Sequence, residues 1–244
     1  MKLIIDIGNT RIKAAVFNKT EMVQQFVFGT SDDLLKADLF KTYSIETCIV
    51  ATVVNEIEEF LNQLRLKTDT LLFTDKSQLP IANLYKSKNT LGSDRLAAAV
   101  GGNFLFPNKN VLIIDAGTCI KYNFVTQNNE YLGGGISPGL QMRFKALHTF
   151  TSRLPMVEMD EHFDNLVGRD TNESILMGAE LGAVAEVDGI IDRYKSIYED
   201  LTVVFTGGDI NFFAKRLKNS IFADQNLILK GLNVILDYNF NAKT

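Results

Sequence analysis

The sequence predicts an α/β protein assembled from two duplicated halves that face each other. Three observations lead there. First, a β-prone run closes on an acidic residue and a glycine turn twice. It occurs as Leu3-Ile4-Ile5-Asp6-Ile7-Gly8-Asn9-Thr10 and again, 109 positions on, as a buried-type run over 111–114 ending in Asp115-Ala116-Gly117-Thr118. Second, β-branched runs alternate with segments whose apolar residues recur at helical spacing. Third, the chain has 244 residues, 46% hydrophobic and 22% charged. That is more than one common domain but less than two, and too apolar for disorder.

Taken in order, residues 3–5 and 12–17 read as two strands of a hairpin, joined by a tight connection. A third strand over 22–28 completes a meander. Residues 34–40 have helical spacing, 47–54 are β-branched, 56–66 are again helical, and 71–73 read as a buried strand. Periodicity is lost over 78–91, which predicts a long surface connection of the kind that carries function. A helix starts near Asp94 and runs through Val100. The second half repeats the pattern, with strands over 111–114, 119–125 and 131–136 and helices over 140–147, 173–194 and 211–217. Two further strands are expected over 202–205 and 227–229. The division falls at 1–108 and 109–244.

Composition excludes several functions. With 25 Lys+Arg against 29 Asp+Glu the chain is acidic, at −4, and it has no basic face with interleaved aromatics, so nucleic acid is not the expected partner. Cys48 and Cys119 are the only cysteines, too few for a disulfide framework or a cysteine-rich zinc site, and a reducing, cytoplasmic setting is expected. His148 and His162 read as surface or capping residues. No apolar run reaches membrane-spanning length, so no membrane partner is expected.

The turns carry the chemistry. Glycine behind an acidic strand end lets backbone N–H groups approach an anion, and a hydroxyl adds a donor. The strand-end carboxylates suit the divalent cation that accompanies a nucleotide triphosphate. One such turn alone reads more readily as a capped hairpin; its duplication reverses that in favour of phosphate binding. A third glycine site, Thr206-Gly207-Gly208-Asp209, closes a β-branched run and opens a helix. There is no G-x-x-x-x-G-K-[ST] run, no dinucleotide glycine spacing at Gly133-Gly134-Gly135 and no protein-kinase catalytic loop. Gly92-Ser93-Asp94-Arg95 places an acid and a base side by side at a helix start. They could accept a hydroxyl proton and steady a transferring phosphoryl group; Ser93 or Asp94 could equally serve as a plain N-cap.

As an ordered set these motifs resemble type III pantothenate kinase, a bacterial family of the actin-like and sugar-kinase ATPases. Asp6-Ile7-Gly8-Asn9-Thr10-Arg11-Ile12-Lys13 resembles its first phosphate motif. Tyr85 and Gly92-Ser93-Asp94-Arg95 resemble its substrate segment, and Asp115-Ala116-Gly117-Thr118 its second phosphate motif. Gly134-Gly135-Ile136-Ser137-Pro138-Gly139, Leu154-Pro155, Gly168-Arg169-Asp170-Thr171 and Thr206-Gly207-Gly208 follow in family order. The resemblance implies two ribonuclease-H-like halves around a nucleotide cleft, and ATP with Mg²⁺ as phosphoryl donor. It implies that Asp6, Ile7, Gly8, Asn9, Thr10, Arg11, Ile12, Lys13 and Thr118 bind ATP, with Gly207 and Gly208 on the adenosine side. Asp94 would be the base that deprotonates pantothenate, and Tyr85, Gly92, Ser93, Asp94, Arg95 and Thr171 would hold that substrate. Asp6 would serve the Mg²⁺ side and Asp115 a monovalent cation, K⁺ or NH₄⁺.

The resemblance also implies a homodimer whose pocket is completed across the interface, and Gly178, Gly182 and Ala185 give the 173–194 helix the small residues that close helix contact needs. Two departures stand out: Ser87-Lys88 where many members carry Asn-Pro, and Asn123 where the strand after Thr118 often carries an acid. Rival readings are a kinase-like nucleotide-binding regulator without pantothenate turnover, and a kinase for a sugar or another alcohol.

Overall fold

The first apolar run becomes β1 (Lys2–Ile7), paired antiparallel with β2 (Ile12–Asn18), which pairs antiparallel with β3 (Glu21–Phe28). On its other side β1 runs parallel to β4 (Thr47–Thr52), and β4 parallel to β5 (Asp69–Leu72), so the sheet order is β3-β2-β1-β4-β5. The structure is a computed structural model and describes residues 1–8, 11–54 and 57–241.

Both faces of this sheet are covered, which is why 3–5 and 48–51 read as continuous apolar runs rather than alternating ones. One face packs Leu3, Ile5, Ile7 and Val50 on Phe60, Leu61 and Leu64 of α3 (Glu58–Arg65) and on Leu34 and Leu39. Those two leucines belong to two short helices, α1 (Ser31–Lys36) and α2 (Leu39–Thr42), where a single helix over 34–40 was expected. A capping box between Thr30 and Asp33 starts α1 early, and extended backbone at Ala37 stops it.

The connection over 78–91 carries β6 (Ala82–Asn83) and one 3₁₀ turn before α4 (Ser93–Leu105), which buries Arg95 and the small apolar run from Leu96 to Gly102.

The second hairpin is β7 (Val111–Ala116) with β8 (Cys119–Val125). Next come β9 (Glu130–Gly133) and β10 (Ile136–Pro138), the latter paired with β8, where one strand over 131–136 was expected; the break falls at Gly134-Gly135. The helices α5 (Leu140–Thr149), α6 (Thr171–Leu176) and α7 (Gly182–Lys195) follow, with a π-helical turn, Met177–Leu181, between the last two. Then come β11 (Thr202–Thr206), α8 (Ile210–Ala214) and β12 (Phe222–Ala223). β7 runs parallel to β11, and β11 to β12. The strand relations β2-β1-β4-β5 and β8-β7-β11-β12 are the same relation made twice, as the repeated turn predicts. Leu112, Ile114, Tyr122 and Phe124 pack beneath Ala183, Val187 and Ile191 of α7 and Phe213 of α8.

The strand expected over 227–229 is instead the start of α9 (Leu227–Asn241). A three-residue apolar window cannot tell a buried strand from a buried helix, and here the apolar pattern continues for 15 residues without a turn signal. Gly231 fixes the outcome. A Cβ there would lie 1.9 Å from the carbonyl oxygen of Ala97, and one at Gly101 would lie 2.5 Å from that of Leu227, so α4 and α9 meet backbone to backbone.

The chain forms two compact units. One holds Met1–Pro107, Asn129–Tyr131 and the segment from Asn226 onward; the other holds Asn108–Asn128 and Leu132–Gln225.

Candidate active site

In the first unit, β1 delivers Asp6 to the end of its strand, directly opposite Lys13 on β2, with Ile7 opposite Ile12. The turn between them is closed by the Gly8 N–H donating to the Arg11 carbonyl at 3.1 Å. Ile7 and Ile12 are 4% and 5% exposed and belong to the core, so they hold the turn in place and can offer a ligand only their backbone. Arg11 is exposed and Asp6 and Lys13 are half-buried. Asn9 and Thr10, also expected at the phosphates, lie outside the described residues.

The substrate segment is built on the start of α4. Gly92 is the N-cap residue and makes no side-chain cap bond; the Asp94 carboxylate, one residue inside the helix, accepts the Arg95 N–H at 2.8 Å. A Cβ at Gly92 would lie 2.5 Å from Asp94 Oδ1, so a larger residue there would displace the Asp94 carboxylate. Ser93 Oγ donates to the Thr52 carbonyl at 3.2 Å, tying the helix start to the end of β4. Arg95 is buried, with its guanidinium 5.6 Å from the Tyr85 ring centroid, and Tyr85 in turn packs 6.3 Å from Tyr131. The pairing of β6 with Glu130 and Tyr131, and the Tyr85 N–H donated to Asn83 Oδ1 at 3.1 Å, place that tyrosine. Thus Tyr85, Gly92, Ser93, Asp94 and Arg95 come together. Beside them lies a cavity of about 780 Å³ lined by Thr52, Phe73, Asn83, Thr90, Gly92 and Ser93 among others.

In the second unit Asp115 ends β7 opposite Lys121 of β8, and the Lys121 ammonium stands 3.0 Å from Asp115 Oδ2. Thr118 is exposed at the tip of this hairpin. The glycine turn after β11 folds onto the same place. Gly207 has φ of +101°, and a Cβ on it would lie 2.2 Å from the Ala116 carbonyl oxygen, so no other residue fits. The Asp209 N–H then donates to that carbonyl at 3.1 Å, while Gly208 is exposed with open space around it. Burial, and secondarily the Asp115 charge, push the Asp209 carboxyl up to about 6.

Lys121 and Asp209 are functional candidates that motif reading passed over. The signal for Lys121 was available: a hairpin centred on Thr118 sets residue 121 against residue 115.

Thr171 opens α6, behind Asp170, whose carboxylate caps the Glu173 N–H at 2.9 Å. It lines a pocket of about 610 Å³ with Leu147, Leu154, Arg169, Ser174 and Gly178 in the second unit.

The oxygen donors at the Asp6 strand end suit a hard divalent cation carried mainly by phosphate and water, and among the described residues no group of three or more His, Cys, Asp or Glu forms a dedicated metal cage. Asp115 does not fit a free monovalent cation in the same way. Its carboxylate is already paired, and two unit positive charges about 4 Å apart repel by about 4 kcal/mol at an effective dielectric constant of about 20.

The chain matches the family model of type III pantothenate kinase over residues 2–193. The type III pantothenate kinase of Bacteroides fragilis is 47% identical over 241 residues, 98% of each chain. Among solved structures, a Baf family transcriptional activator from Campylobacter jejuni superposes with a TM-score of 0.63 at 22% identity, covering 98% of this chain and 99% of that one. A ROK family glucokinase from Streptomyces griseus, in complex with glucose and AMPPNP, superposes at 0.55 with 12% identity over 98% and 99%. These two likenesses concern the fold, which is that of the actin-like ATPases. Identity sustained across nearly the whole of both sequences, with every turn described above inside it, goes further: the chain belongs to the type III pantothenate kinase family.

Proposed function

We propose that this kinase transfers the γ-phosphoryl group of ATP to the primary hydroxyl of pantothenate with Asp94 as the general base. The observation that carries the assignment is the Gly92–Arg95 helix start. It carries a carboxylate pinned by its own helix, next in sequence to Gly92 and Ser93, which line the cavity, with a buried guanidinium following it. Asp94 would accept the hydroxyl proton, Arg95 would lend positive charge, and Tyr85 would hold Arg95 in place. The turn at Gly8 in the first unit, and those at Gly117–Thr118 and Gly207–Gly208 in the second, would each offer backbone N–H groups to phosphate or nucleotide, so catalysis rests mostly on positioning and charge neutralisation.

ATP is the donor and comes with a divalent metal, which neutralises phosphate charge when bound; Asp6 is the carboxylate we assign to Mg²⁺. The family resemblance adds K⁺ or NH₄⁺ at Asp115, where Lys121 already stands. Thr171 completes the substrate pocket in this reading, in a homodimer whose contact uses the helix carrying Gly178 and Gly182, at both of which an added Cβ meets open space. A cytoplasmic setting goes with it; Cys48 and Cys119 are free thiols, and among the described residues no helix is long and apolar enough to cross a membrane.

The test is purified protein with ATP and Mg²⁺, with and without pantothenate, scored for 4′-phosphopantothenate. Product only with pantothenate is expected. Pantothenate-independent turnover, or ATP binding without turnover, would favour the regulator, and product only from a sugar would favour the sugar kinase.

A further inference from the structure

We propose that the Lys121 ammonium is the resident monovalent cation of this enzyme, so that phosphoryl transfer needs no potassium or ammonium ion from solution; the inference rests on the kinase reading above. Lys121 reaches Asp115 by strand register, as its direct cross-strand partner on β8, with Nζ 3.0 Å from Oδ2. The pair is shielded, the side chains being 24% and 10% exposed. Thr206, fully buried, is the register partner of Asp115 on the other side. Two positions along β8, on the same face as Lys121, stands Asn123, fully buried and neutral.

The arrangement therefore differs from a site built for a free ion. An ion site collects anionic or carbonyl oxygens around a vacancy; here the carboxylate faces an ammonium, and the next position is an uncharged amide. What a bound monovalent cation contributes beside a triphosphate is one positive charge, weakly directional. A lysine contributes that charge tethered, with three N–H donors. Register repeats the relation in the other half, where Asp6 faces Lys13 across β1 and β2.

The experiment assays the full chain in sodium or Tris buffer and titrates potassium at constant ionic strength, in parallel with melting curves in the same salts. Wild type should turn over at the same rate throughout, with no melting shift specific to potassium. Lys121→Thr should lose about a hundredfold in sodium and recover most of it as potassium or ammonium is added, with a potassium-specific rise in melting temperature that a purely structural ion pair would not produce. Lys121→Arg should stay indifferent to potassium.

A wild-type rate that climbs with potassium, or a potassium-specific melting shift in wild type, overturns the proposal. Both readouts need no variant, so a Lys121→Thr chain that fails to fold does not protect it. Absence of phosphopantothenate in every salt would refute the kinase reading instead, and the melting curves would still decide this one.

Discussion

Replacing Asp94 by Asn separates the two jobs its position allows. Asp94 Oδ1 accepts the Arg95 N–H at 2.8 Å in the first turn of α4, and Asn offers an amide oxygen at the same place. What the helix loses is a negative charge near its positive end, a term of about 0.3–1 kcal/mol. For a chain of this size that is a fall of only about 1–4 °C in melting temperature. What a general base loses is different, because an amide cannot take the hydroxyl proton; at least about a hundredfold in kcat is expected, or about 2.7 kcal/mol of barrier. The assay is ADP release coupled to a dehydrogenase, with phosphopantothenate checked by mass, beside a thermal melt and a titration of ATP binding. Slow turnover with near-normal melting and nucleotide affinity is expected. A variant within a few-fold of wild-type kcat that melts much lower would refute the reasoning, since Asp94 would then be serving the helix and not the substrate.

Gly231→Ala should destabilise by about 1–3 kcal/mol despite a helix-propensity gain of about 1 kcal/mol, because the new methyl meets the Ala97 carbonyl at 1.9 Å; Gly189→Ala, in open space on α7, is the control, and urea midpoints decide between them. Glu180 is fully buried, accepts the Asp160 N–H at 2.8 Å and leaves Oε2 without a partner, and burial raises its pKa. A raised folded value means that its contribution is whole below the ordinary glutamate value of about 4.3 and is lost as pH rises through the folded one. Glu180→Gln should therefore match wild type in acid and melt progressively higher than it above that range. The chain should scatter light as a homodimer at micromolar concentration; a fully active monomer would refute the shared pocket.

Where pairing follows from a short symmetric turn, the sequence was legible. The repeated Asp-Gly turns and the meander follow from local chemistry. So does the start of α4, although the N-cap is Gly92 and not Ser93 or Asp94. What could not be read is what distant chain decides. Residues 227–229 became helical because α4 presents a groove of small residues to Gly231. The π-helical turn, Met177–Leu181, lies inside a stretch whose spacing reads as one unbroken helix. Lys121 belongs to no motif and is legible only from the register of the second hairpin, and Asp209 reads as the tail of a glycine turn. Both matter through a carboxylate six residues away in one case and more than ninety in the other.

The docking of α9 on α4 has a consequence for how the polypeptide leaves the ribosome. α4 is synthesised with a face of alanines and glycines that nothing covers until Leu227 and its successors emerge, roughly a hundred and twenty residues later, about 6–25 s at ordinary elongation rates. Throughout that interval the second unit can finish while the first waits with a bare helix and with β1 and β4 lacking the helix that packs on them. The first unit, begun first, is thus completed only after the second has been synthesised.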